Sequence, residues 1–112
     1  MAYDEDLANG IREQLAGEPF DELRMFGGLA FTLGGNTAVC ASRTGGLMVR
    51  VGKDGYADAR AQPHAEAFTM GGRVSESWVI VSPHGFESDE TLAAWVRRGT
   101  DFARSLPPKD AA

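Results

Sequence analysis

At 112 residues and 12.0 kDa, with 43% hydrophobic and 24% charged residues, the chain has the size and composition of one globular domain. A formal charge of −5, with the eleven Lys and Arg residues scattered rather than clustered, argues against strong direct binding of DNA, which needs a concentrated basic surface. The single cysteine, Cys40, rules out an intramolecular disulfide and any cysteine-rich zinc site. No apolar run approaches the ~20 residues of a membrane span. The N-terminus opens on acids rather than on a basic and then apolar leader, so a cytoplasmic location is expected.

Residues 3 to 17 read as an amphipathic helix, because Tyr3, Leu7, Ile11 and Leu15 recur every four residues among polar ones. Gly17 and Pro19 stop it. Four strand-like runs follow, Glu22–Phe26, Leu29–Leu33, Thr37–Ser42 and Leu47–Val51, separated by short glycine-containing gaps of the kind that connect hairpins. The sequence Gly52-Lys53-Asp54-Gly55 breaks this pattern, and Tyr56 to Gln62 reads as a short helix ending at Pro63. From His64 to Glu76 the sequence leaves a loop and a weak strand equally open. Ser77–Ser82 is β-branched and aromatic, and reads as a strand.

The last element is a long helix. Leu92, Trp95, Val96, Gly99, Phe102, Ala103 and Leu106 form one stripe, Ser88 is placed to cap it, and Pro107-Pro108 ends it. Trp95 and Phe102 are expected to anchor it to the sheet. The expected fold is α+β: an antiparallel meander with the N-terminal and C-terminal helices packed on one face, in the order α-β-β-β-β-α-β-α. Residues 1–106 are expected to form the single domain and 107–112 a frayed tail.

The octet RMFGGLAF, residues 24–31, holds two adjacent glycines inside an apolar run. A dinucleotide-binding fingerprint needs G-x-G-x-x-G opening a helix, whereas another strand follows here. The stretch from Gly46 to Asp54 fails as a P-loop as well, since its glycines enclose five residues and Asp54 stands where Ser or Thr would hold magnesium. Gly27 and Gly28 are therefore structural, as a two-residue hairpin turn or a bulged bend, with at least one glycine at positive φ.

Arg24-Met25-Phe26-Gly27-Gly28 followed by an apolar strand resembles the start of the TfoX N-terminal domain family, named for a bacterial competence regulator. The likeness continues through Gly35-Asn36, the strand Leu47–Val51 and Trp78–Val81, with Met25, Phe26, Gly27 and Gly28 as its sharp motif. The resemblance implies an α/β fold with an antiparallel sheet, similar to secretion-chaperone-like proteins. It also implies a regulatory or interaction role, with no catalytic residues to carry over. Full-length competence regulators carry a further helical domain, so the resemblance is to the N-terminal domain standing alone.

Reactive side chains are sparse. His64 and His84 each follow a proline, and neither pairs with Cys40 or with the other at short metal-ligand spacing, so no metal, cofactor or catalytic set is assigned. Strand parity is more informative. Leu29, Phe31 and Leu33 share one face with Leu47, Val49 and Val51, and the helices are expected to cover it. Arg24, Phe26, Ala30, Thr32, Ala38, Cys40, Met48 and Arg50 are assigned to the opposite face. That face is either a solvated or partly covered sheet surface, or a surface for a protein partner or a homodimer. The leading expectation is a small non-enzymatic interaction domain. The competing one is a small-molecule binder or enzyme in which Arg24 and Arg50 grip an anion.

Overall fold

The computed structural model describes residues 3–25 and 27–108. The chain runs α1 (Glu5–Gln14), β1 (Asp21–Met25), β2 (Gly28–Leu33), β3 (Asn36–Ala41), β4 (Leu47–Arg50), α2 (Gly52–Arg60), β5 (Ala65–Met70), β6 (Arg73–Val81) and α3 (Asp89–Ser105), with a 3-10 turn at Pro83–Phe86. The strands form one antiparallel sheet in the order β1-β2-β3-β4-β6-β5. The expected α+β architecture is what forms. The stretch between His64 and Glu76 is a hairpin: β5 and the start of β6 meet around Gly71-Gly72, both at positive φ. α2 begins at Gly52, four residues earlier than its alanine content indicates.

The helix ends follow from the local sequence. Asp4 accepts a hydrogen bond from the Leu7 amide at the start of α1. Ser88 caps α3 in a reciprocal box with Thr91, and Asp89 and Glu90 fill the positive first turn. All three helices lie on one side of the sheet. Their Leu7, Ile11, Ala59, Leu92, Trp95 and Val96 form a single core with Leu29, Phe31, Val39, Leu47, Val49, Val79 and Val81. At Gly99 a Cβ would overlap the Ala38 carbonyl, so α3 approaches β3 as closely as a glycine permits. Phe102 stays half-buried at the edge of this core, with its ring beneath the Arg50 guanidinium at 5.2 Å, so of the two expected anchors only Trp95 is one.

Two departures from simple alternation decide which side chains share a face. Met25 pairs with Gly28, so two residues separate β1 from β2 and each even-numbered residue of one faces an odd-numbered residue of the other. Arg24 consequently lies opposite Leu29 on the helix-covered side, while Leu23 pairs with Ala30 on the other. The assignment of Arg24 to the open face is thus corrected. Phe26 lies outside the described residues. In β3 the register shifts, with Val39 opposite Phe31 but Thr37 opposite Thr32, which makes Ala38 the extra residue of a bulge. Ala38 turns toward Leu33 and Ala103 of α3 and also leaves the open face.

The two glycines of the octet are structural for different reasons. Gly27 sits in the connection at φ 76°, where a side chain is strained. Gly28 is already the first residue of β2, and a Cβ there would overlap the carbonyl oxygen of Ala41 on β3.

Candidate functional site

The side of the sheet without helices is built from every strand. Ala30, Cys40 and Met48 occupy its centre, with Met25, Phe68, Trp78 and Ile80 packed around them. Three small or flexible side chains in a row leave a shallow middle, and the larger ones lean over it. This is why Ala30, Cys40 and Met48 are only 0–2% exposed although no helix of the described residues covers them. Thr32 and Thr37 pair across β2 and β3 and extend the surface, the Thr37 hydroxyl lying 4.0 Å from the Met25 sulfur. Leu23, at 50% exposure, continues the apolar surface onto the edge strand β1.

Of the residues expected here, Thr32, Cys40 and Met48 are therefore brought together, whereas Arg24 is not. Arg50 pairs with Trp78 at the end of β4, and its side chain reaches round the sheet end to the Phe102 ring, with a buried Nε that has no hydrogen-bond partner. Arg24 and Arg50 thus lie on strands separated by β2 and β3 and do not converge on one anion. Trp78, Ile80, Phe68 and Leu23 were not expected on this surface. The alternation of Trp78 and Ile80 with Val79 and Val81 was the available signal, because only one parity of a strand can face the helices. Phe68 had no such signal, since β5 carries a register shift beside it.

Cys40 carries the one thiol of this surface, and its surroundings silence it. Burial pushes the thiol up to about 11, and a backbone hydrogen bond at Leu29 draws it back slightly. A neutral buried thiol is a poor nucleophile. The native chain should therefore react with a maleimide or disulfide reagent at neutral pH only as fast as it opens, and fully once unfolded. Fast stoichiometric labelling of the folded chain would contradict this placement. The raised value also fixes a sign: the folded state holds the proton more tightly, so this group's contribution to stability falls as pH rises from about 9 towards about 11.

On the covered side, Arg12 of α1 grips Glu22 of β1 through two bonds of 2.7 and 2.8 Å. The hydrogen bond from Arg12 lowers the Glu22 carboxyl below its ordinary range against a smaller opposing effect of burial. This pair fastens the edge strand to the first helix, and Arg104 of α3 similarly holds Glu18 of the connection between them.

The TfoX N-terminal domain model matches residues 13–103, a span from the end of α1 through most of α3 that contains the whole sheet and both glycines of the octet. No curated protein and no solved structure is detectably similar to the chain. With the family model covering all but the ends, the chain belongs to the TfoX N-terminal domain family and is a competence-regulator-like domain.

Proposed function

We propose that this domain is a non-enzymatic regulatory module that works by protein contact, and that the partner on its helix-free sheet face is a second copy of the chain. The observation that carries the reading is the apolar surface of Met25, Ala30, Cys40, Met48, Phe68, Trp78 and Ile80, which spans the sheet with no helix of the described residues over it. Its outer members Met25, Phe68, Trp78 and Ile80 stay partly exposed, and Leu23 is half exposed beside them; contiguous exposed apolar side chains often mark an interface. Two sheets presenting such faces can pack at about 10 Å.

Charge leaves the centre of this face open to a copy of the same chain. At −5 the molecules repel one another over most of their surface. Yet β2, β3 and β4 place no carboxylate on this face, and the Arg50 guanidinium leaves it for the Phe102 ring of α3. The carboxylates Glu66 and Glu76 belong to the edge strand β5 and to β6 beside it. A centre free of carboxylates lets two copies meet there without opposing like charges, with the same patch on both subunits, as in an isologous dimer.

Sedimentation of the wild-type chain and of Leu23→Glu and Ile80→Lys tests this. The expected result is a dimer for wild type and a monomer for each variant, with melting behaviour of the subunit retained. A wild-type monomer at high micromolar concentration, or a dimer indifferent to both substitutions, would refute the reading. The same reading places the domain in a bacterial cytoplasm, in keeping with the absence of any helix among the described residues long and apolar enough to cross a membrane.

Direct DNA contact is not part of the proposal. With a net charge of −5 and scattered Lys and Arg, the chain can neutralise few phosphates, so duplex DNA should not be shifted in a gel at physiological salt. Sub-micromolar affinity that weakens steeply with salt would show otherwise.

A further inference from the structure

We infer that His64 and His84 form a binding site for a divalent transition-metal ion, at a place separate from the sheet face. The two histidines are twenty positions apart, and the β5–β6 hairpin returns the chain so that both border one cavity of about 260 Å³, together with Trp95 and Arg98. Their ring centroids are 5.9 Å apart, with the planes at 42°. With metal–nitrogen bonds of about 2.0–2.1 Å, two imidazoles sharing one ion place their centroids roughly 5 to 6.4 Å apart over tetrahedral to linear angles. The observed separation falls within that range.

Three further features prepare the pair. His84 Nδ1 lies 3.1 Å from Glu87 Oε2. An ionised carboxylate only accepts, so the neutral tautomer that this contact favours has its proton on Nδ1 and leaves the lone pair of Nε2 for a ligand. A carboxylate behind a histidine is the usual orienting partner of a metal ligand. His64 is the only described residue other than glycine at positive φ, 68°. Strain of that kind persists where surrounding structure enforces it and gathers at functional positions. Here the His64 carbonyl accepts from the Ser82 amide at 3.0 Å, and Gly85 leaves room where a Cβ would stand 3.0 Å from the Cβ of His64.

Nearby positive charge is already engaged. Arg98 bonds Asp58 at 2.9 Å over the Trp95 ring, and Arg60 donates to the Ala65 carbonyl. No third His, Cys, Asp or Glu joins the pair among the described residues, so water or a small ligand completes the coordination and the ion keeps open positions. Imidazole ligands with open positions suit Zn²⁺, Ni²⁺ or Cu²⁺ rather than Mg²⁺ or Ca²⁺.

Calorimetric titration of the untagged full chain with ZnCl₂ and, separately, NiCl₂ tests the site. One ion per chain should bind saturably, with no matching signal from MgCl₂. His84→Gln and His64→Asn should each weaken binding by more than about tenfold, and Glu87→Ala by about tenfold. Asparagine is chosen at 64 because it tolerates the left-handed backbone, so a folded variant is expected. A melting curve without metal checks that each variant is native. Absence of saturable binding at millimolar metal, or binding that survives both histidine substitutions in folded chains, would overturn the inference. Unchanged affinity in Glu87→Ala would remove the orienting role of that carboxylate.

Discussion

Trp95→Ala should lower the stability of the domain by about 3–5 kcal/mol, a large share of what a chain of this size possesses. Trp95 is 7% exposed, lies in the middle of α3 and packs into the same core as Val79, Val81 and Leu92. Removing it leaves a cavity under the longest helix, where the rigid sheet below and the close contact at Gly99 limit collapse. The melting temperature should fall by roughly 10 °C or more. Phe102→Ala is the internal comparison. Its ring is half-buried and rests on Arg50, so its truncation should cost clearly less. A Trp95→Ala variant melting within a degree or two of wild type would mean that α3 is not held as described.

The second large effect is expected at Gly28→Val. In β2 the Cα of Gly28 lies so close to β3 that any Cβ overlaps the Ala41 carbonyl oxygen, and a backbone atom has no rotamer by which to move aside. Overpacking typically costs about 1–3 kcal/mol, and this substitution should reach the upper end of that range or pass it, because β2 must separate from β3 to admit the side chain. Gly27→Val acts through a different cause. There a Cβ would meet the Arg43 side chain at 2.7 Å, which is free to yield, and what remains is the strain of a β-branched residue at positive φ, about 1–3 kcal/mol. Thermal melts of the two variants should therefore rank Gly28→Val below Gly27→Val, with both below wild type. Equal stability for all three would return the octet to the ligand-binding reading that its lack of a following helix argues against.

The sequence by itself determined the elements whose signals are local. The four-residue recurrence of α1, the cap and stripe of α3, and glycine gaps between alternating strands each depend on residues close along the chain. The covered face was legible for the same reason, since Leu29, Phe31, Leu47 and Val49 alternate within their own strands and all four reach the core. Only the tertiary structure decided what depends on pairing between distant segments. Alternation fixes parity within a strand, yet the phase between strands is set by which residues lie in the turn. One position of difference at Met25 and Gly28 moved Arg24 to the helix side and brought Leu23 to the open one. The bulge at Ala38 changed phase inside a strand, with no mark in the sequence apart from the close approach of α3 it accommodates. β5 carried no clear alternation because its register shifts beside Phe68, and it is fixed by its pairing with β6. His64 and His84, at no recognisable ligand spacing, became neighbours through that same hairpin, because hydrogen bonding between strands places residues side by side irrespective of their distance along the chain.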